Sequence, residues 1–114
     1  MALIVTSSNP GELLKAIKDK MAQGGIDTWS VDSDGDFTHA APQWKNEAWL
    51  RPRIEENKLI LKILTPKGKH LSSVTYAVYH GRFIEMILTH FDGKFSNAKA
   101  TALPDLGDII QPSG

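Results

Sequence analysis

The residues best suited to acid–base chemistry lie in the stretch 73–92, SVTYAVYHGRFIEMILTHFD. If this stretch is helical, Tyr76 and His80 lie four residues apart on one face, where a phenol and an imidazole make a candidate general acid and general base. His39 is a third catalytic candidate, and Arg51 would complete the same pocket. No glycine-rich phosphate loop, nucleophile elbow or paired carboxylates accompany them in the sequence. Proton transfer is therefore a hypothesis that rests on these few side chains.

The same side chains are also typical of the margin of a hydrophobic core. Tyrosine and histidine in that position usually bury the ring and hydrogen-bond its polar end. Under this interpretation Tyr76, Tyr79 and His80 stabilise a central helix and have no catalytic role. A concave pocket with convergent polar groups beside His80 would favour the enzyme, whereas a flat apolar patch around Trp44 and Trp49 would favour a binding module.

A second group of residues indicates binding. The segment QWKNEAWLRPR brings Trp44, Trp49, Arg51 and Arg53 close together in sequence, and tryptophan and arginine dominate the energetics of many protein interfaces. Alternating aromatic and basic residues also bind single-stranded nucleic acid, but glutamates close by and a net charge of zero argue against that use. The alternative is that both tryptophans anchor a loop in the core.

The sequence predicts no metal site and no cofactor. The turn DSDGD, 32–36, resembles a calcium loop, but the twelfth position counted from Asp32 is Gln43, which cannot supply a bidentate carboxylate. None of the four histidines pairs at a ligand spacing, and the chain contains no cysteine. We therefore interpret 32–36 as a solvated hairpin turn.

Composition predicts one small domain. The chain has 114 residues, of which 41% are hydrophobic, a length that suits a single core. Thirteen basic and thirteen acidic side chains cancel, so the net charge gives no general attraction to nucleic acid or to anionic membranes. The lack of cysteine and of a signal-like start predicts a soluble, cytoplasmic protein without a membrane segment.

Local patterns predict the elements of a two-layer α+β sandwich. Asn9, Pro10 and Glu12 form a helix start, which predicts a helix over 10–23 that ends at Gly24-Gly25. A mainly antiparallel sheet of about five strands would carry both helices on one face, with 103–114 as a frayed tail. The predicted strands are 27–31, 36–40, 49–54, 59–65 and 95–102.

The second helix is predicted over 73–92. Apolar residues recur there at intervals of three and four, although Val74, Tyr76 and Val78 also alternate as in a strand. Gly81 inside this helix costs about 1 kcal/mol relative to alanine, which predicts that another backbone passes close to it. The apolar face expected to pack on the core consists of Val74, Ala77, Gly81, Ile84, Leu88 and Phe91.

The sequences of two segments resemble a family of small uncharacterised, hypothetical bacterial proteins. The segments are DGDFTHAAPQWKNEAWLRPRI and YAVYHGRFIEMILTHFD, within a likeness that spans residues 26–103. The resemblance implies a soluble bacterial protein and transfers no functional residue.

Three functional hypotheses follow in order of preference. The first is a non-enzymatic protein-interaction or regulatory module, a class that includes the immunity proteins that neutralise bacterial toxins, with contact through 44–53 and the exposed sheet face. The second is a small enzyme with acid–base chemistry around His80 and Tyr76, and the third is nucleic-acid binding. The sequence leaves the partner unnamed and a homo-oligomer open.

Overall fold

The computed structural model describes residues 2–102 as a six-stranded antiparallel sheet and two helices. The strands pair in the order β2-β3-β4-β5-β1-β6. The helices are α1 (Pro10–Ala22) and α2 (Ser73–Phe91), and a short 3₁₀ turn, Asp92–Lys94, follows α2. The strands are β1 (Ala2–Thr6), β2 (Trp29–Val31), β3 (Phe37–His39), β4 (Trp49–Glu55), β5 (Lys58–Leu64) and β6 (Asn97–Ala100).

The α+β sandwich is confirmed, with one strand more than the sequence predicted. β1 was not predicted, and it lies inside the sheet, antiparallel to both β5 and β6. Its register places Leu3 opposite Leu61, and both side chains are fully buried. Five residues before a strong helix start are too few to show a clear alternation, so only pairing with neighbours identifies them as a strand. The predicted tail, 103–114, lies outside the described residues.

Both helices begin where their caps predict, and α1 also ends there. The Asn9 side chain accepts a hydrogen bond from the backbone N–H of Glu12 at 3.1 Å, and its amide donates to the Glu12 carboxylate at 3.2 Å. Gly24 has a φ of 79°, the left-handed conformation that ends a helix without strain only at glycine. Ser72 caps α2 by accepting from the N–H of Thr75 at 3.0 Å.

One hydrophobic core lies between the sheet and the two helices. Leu13 and Ile17 of α1 pack into it, and Phe83 of α2 lies near its centre. The Phe83 ring meets Trp29 of β2 at a centroid distance of 5.2 Å and Phe37 of β3 at 5.4 Å. These contacts hold α2 across the β2-β3 end of the sheet.

The predicted core face of α2 is wrong by part of a turn. The buried residues of the helix are Tyr79, His80, Phe83, Met86, Ile87 and Phe91. Val74 is 61% exposed and Leu88 is 54% exposed, although both were expected to face the core. The helix has apolar residues on two adjoining faces, and periodicity alone does not show which of them the sheet covers.

The predicted close approach at Gly81 is also wrong within this chain. A Cβ atom built on Gly81 has no atom of another element within 4 Å, and the residue is exposed. Packing therefore does not oppose a side chain at this position. We expect Gly81→Ala to raise the free energy of unfolding by about 1 kcal/mol in dilute protein, because alanine is the better helix former. Urea denaturation measures this change, and a loss of stability would contradict the open surroundings of Gly81.

Candidate functional site

His80 and Tyr76 form a stacked pair at the margin of the core. Their ring centroids lie 3.9 Å apart with an interplanar angle of 23°. His80 is 2% exposed, and its Nδ1 lies 2.8 Å from the Tyr76 carbonyl oxygen. Because a carbonyl oxygen only accepts, Nδ1 carries the proton. The Tyr76 hydroxyl donates to the carbonyl of Thr101 at 2.7 Å, which ties α2 to the chain that follows β6. Both polar ends thus make structural hydrogen bonds.

His39 lies in a different ring contact. It is 4% exposed, and its ring meets Trp29 edge to face at a centroid distance of 5.1 Å. Its Nδ1 accepts a hydrogen bond from the Ala41 N–H at 3.1 Å, so the neutral ring carries its proton on Nε2. Burial lowers the pKa of His39, the charge of Arg82 lowers it further, and Glu85 opposes the shift. The ring is therefore held neutral near pH 7.

The lowered pKa of His39 predicts that stability depends on pH. In the unfolded chain this imidazole returns to its ordinary pKa of 6.5, so below that pH the unfolded state binds more protons than the folded state. The free energy of unfolding should therefore fall as the pH drops from 6.5 toward the folded-state pKa. His39→Gln is expected to flatten this dependence in urea titrations at a series of pH values. Equal slopes for the wild type and the variant would contradict the assignment.

A cavity of about 380 Å³ lies away from these rings, where β1 meets α1. It is lined by polar residues that include Ser7, Asn9, Glu12 and Lys94, and by none of the three acid–base candidates. Its polar groups bond to one another: the Ser7 hydroxyl donates to the Lys94 carbonyl at 2.8 Å, and the Lys94 ammonium lies 3.3 Å from a Glu12 carboxylate oxygen. The cavity therefore gives no support to a pocket centred on His80.

The structure separates the two tryptophans that lie close in sequence. Trp44 packs against the core, and its carbonyl accepts a hydrogen bond from the hydroxyl of Tyr79, which is fully buried. Thr38 Oγ1 donates to the Ala48 carbonyl at 3.0 Å and lies 3.1 Å from the same tyrosine hydroxyl. Trp44 thus anchors the connection between β3 and β4, as the core interpretation predicted for it.

Trp49 lies instead on the outer face of the sheet, the face opposite the helices. In β4 the side chains of Leu50 and Trp49 point to opposite faces, and Leu50 is fully buried in the core. Arg51 and Arg53 follow Trp49 at intervals of two and therefore share its face. The sequence itself shows the alternation of Trp49, Arg51 and Arg53. Because the segment is a strand, these three side chains share one surface.

Register extends this surface across three more strands. Trp49 pairs with Leu64, Arg51 with Lys62, and Arg53 with Ile60. Ile60 in turn pairs with Ile4 of β1, and Ile4 pairs with Lys99 of β6. The residues that β1, β5 and β6 contribute to this surface were not predicted from the sequence. Those of β5 could have been, because the alternation in KLILKIL indicates which side chains share a face. We define the outer sheet face by its members Ile4, Trp49, Arg51, Arg53, Lys58, Ile60, Lys62, Leu64 and Lys99.

Two apolar residues of the outer sheet face are almost buried although neither of the two described helices covers them. Ile60 is 6% exposed and Leu64 is 5% exposed, yet neither belongs to the core cluster between sheet and helices. Long cationic side chains and Trp49 surround them on this face, and the alkyl stems of arginine and lysine cover apolar surface while their charges stay in water. The face therefore combines an apolar centre with a cationic border.

Two carboxylates are bonded to the arginines of this face. Asp36, whose side chain is 5% exposed, accepts two hydrogen bonds from the Arg51 guanidinium, at 3.0 and 2.8 Å. The bonded carboxylate raises the pKa of Arg51, so its charge is permanent. Glu55 lies 2.8 Å from Arg53, with both side chains about half exposed. Five cations and these two bonded anions lie on the face, and the carboxylates of Asp32 and Asp34 at its Arg51 edge bring the positive excess down to one.

The acidic turn beside the face brings three carboxylates together. Oxygens of Asp32, Asp34 and Asp36 lie within 4.8 Å of one another. However, one oxygen of Asp32 accepts from the N–H groups of Asp34 and Asp36, and Asp36 is bonded to Arg51. We expect neither a chelator nor added Ca²⁺ to move the thermal midpoint, because the carboxylates of Asp32 and Asp36 already have partners. A reproducible shift of several degrees that Ca²⁺ restores would contradict this prediction.

Comparisons of the chain with protein-family models, curated proteins and solved structures found no match. Within residues 2–102, neither helix has both the length and the apolarity needed to cross a bilayer.

Proposed function

We propose that this protein is a non-enzymatic protein-interaction module and that the outer sheet face binds an acidic surface of another protein. The observation that carries the proposal is the strand register, which brings Trp49, Arg53, Lys62 and Lys99 to the face of the sheet that neither described helix covers. A tryptophan and arginines within a polar border are features of many protein-binding surfaces.

The charge of the face supports an acidic partner. The chain as a whole is neutral, so the cations of this face are balanced by acidic groups at its Arg51 edge and elsewhere in the chain. Such a surface steers an acidic partner to one orientation and repels a basic one.

A protein partner is favoured over a nucleic acid by the details of the same surface. Trp49 is its one aromatic residue, whereas single-strand binders stack successive bases on several rings. The neutral chain also adds no general attraction to a phosphate backbone.

The enzyme hypothesis receives less support. Tyr76 and His80 stack on each other, His39 packs on Trp29, and the cavity beside α1 is lined by none of them. The candidate acid and base are thus bonded to backbone groups rather than directed at a shared pocket. We place the module in the bacterial cytoplasm, on the resemblance and on the absence of cysteine.

Affinity capture with charge-reversed variants tests the proposal. Wild-type protein and the variant Arg53→Glu/Lys99→Glu are immobilised and exposed to bacterial lysate. The matched control is Lys45→Glu/Lys67→Glu, which makes the same change in net charge in exposed connections outside the outer sheet face. Proteins that bind wild type and control but not the first variant are purified, and their affinities are measured by calorimetry.

The proposal predicts an acidic protein whose purified form binds wild type and control alike and binds Arg53→Glu/Lys99→Glu at least about tenfold more weakly. Fluorescence anisotropy with a labelled oligothymidine and a labelled oligouridine tests whether the face binds nucleic acid instead of a protein. Tight binding of either oligonucleotide that the first variant alone abolishes would assign the face to nucleic acid and contradict the proposal. The proposal is equally contradicted if no purified protein distinguishes the variants.

A further inference from the structure

α2 carries an apolar surface that the rest of the described chain does not cover. We call it the α2 stripe, and its members are Val74, Ala77, Gly81, Ile84 and Leu88. Val74 and Leu88 are more than half exposed, and Ala77 and Gly81 are exposed as well. The stripe adjoins the buried face of the helix but points away from the sheet. Among residues 2–102, nothing packs against Gly81 in a way that would require a glycine in the middle of this helix.

Two members of the stripe lie at equal distances from Gly81. Val74 lies seven residues before this glycine and Leu88 seven residues after it. A two-fold axis through Gly81 therefore sets Val74 of one copy against Leu88 of the other in an antiparallel helix pair. The glycines meet at the axis, where the lack of side chains lets the two backbones approach closely. The stripe is thus complementary to a second copy of itself.

The charged residues beside the stripe are also compatible with a two-fold axis. Arg82 and Glu85 are both exposed and lie on the same border of the stripe. In the antiparallel pair, Arg82 of one copy and Glu85 of the other lie on one side of the interface, about 7.5 Å apart along the helix axis from the 1.5 Å rise per residue. Long side chains can span this offset, and the two-fold axis makes two such attractive contacts.

We propose that the α2 stripe is the interface of a homodimer in which two α2 helices pack antiparallel across Gly81. The inference is independent of the proposed function, because the stripe and the outer sheet face lie on opposite sides of the molecule. A helix of 19 residues is about 28 Å long, so this contact is smaller than a standard stable interface. The dimer is therefore a concentration-dependent one, and it would present two outer sheet faces to a partner.

Sedimentation velocity over micromolar to millimolar protein tests the dimer. Val74→Glu and Leu88→Glu should each weaken association at least about tenfold, because each sets a carboxylate against an apolar side chain of the other copy. Ile54→Glu is the matched control: Ile54 is 49% exposed on β4, outside the stripe, and its replacement should leave association unchanged. Gly81→Leu should also abolish the dimer while the monomer stays folded, since its surroundings are open. Circular dichroism confirms the fold of each variant.

The double variant Val74→Lys/Leu88→Glu tests the orientation. An antiparallel pair sets the new ammonium against the new carboxylate, so the double variant should associate at least about tenfold more tightly than Leu88→Glu alone. A parallel pair would set like charges together and weaken association further. A wild-type protein that stays monomeric to millimolar concentration, a dimer insensitive to residues 74, 81 and 88, or a double variant without rescue would each overturn the proposal.

Discussion

Replacing Phe83 by alanine is expected to lower the free energy of unfolding by about 3–5 kcal/mol. The side chain is fully buried, and its ring lies 5.2 Å from that of Trp29 and 5.4 Å from that of Phe37. The substitution removes the transfer free energy of a phenyl ring and leaves a cavity between rigid aromatic neighbours that cannot collapse into it. Urea denaturation followed by far-ultraviolet circular dichroism gives the loss.

Phe95→Ala is the matched control for this substitution. Phe95 is only partly buried where it packs against the core, so solvent replaces part of the lost contact. We expect its loss to be about half that of Phe83→Ala or less. Equal losses would show that the centre of the core is not where the ring contacts place it.

Replacing Arg51 by methionine is expected to cost about 2–4 kcal/mol, more than an ordinary surface ion pair contributes. The guanidinium is about half exposed, but the Asp36 carboxylate that it bonds is 5% exposed. Methionine keeps much of the side-chain volume and leaves a nearly buried carboxylate without its two charged donors. The penalty comes mainly from that unpaired charge.

The double variant Arg51→Met/Asp36→Asn separates the charge from the packing. It should be more stable than Arg51→Met alone, because no buried charge remains unpaired. Thermal or urea denaturation of the wild type, the two single variants and the double variant gives the double-mutant cycle. If the stability losses of Arg51→Met and Asp36→Asn simply add in the double variant, this account is contradicted and the pair is an ordinary exposed contact.

Local rules predicted most of the elements but not how they face one another. The caps at Asn9 and Ser72 and the left-handed Gly24 determine the helix ends through contacts within a few residues, so the sequence was sufficient there. β1 was missed because its identity depends on pairing with β5 and β6. Likewise, periodicity showed that α2 is amphipathic, but the sheet alone decides that Phe83 rather than Val74 is buried.

The candidate site likewise depends partly on local patterns and partly on long-range strand pairing. Trp44 and Trp49 lie five residues apart in sequence, yet the change from an irregular connection to a strand sends the first into the core and the second to the outer sheet face. Lys99 joins that face only because β6 pairs with β1, a contact that spans almost the whole chain. Such long-range register has no local signal, whereas the alternation in β4 was available from the sequence.

The outer sheet face is tested most directly by amide and indole chemical shifts recorded while an acidic protein partner obtained by capture is titrated into labelled protein. The three tryptophans act as reporters, because Trp29 is 2% exposed in the core, Trp44 packs against the core, and Trp49 lies on the outer sheet face. We predict that the Trp49 indole signal and the amides of β4 and β5 shift or broaden while the Trp29 indole signal does not. Shifts confined to α2 or to the cavity beside α1, with Trp49 unchanged, would contradict the account.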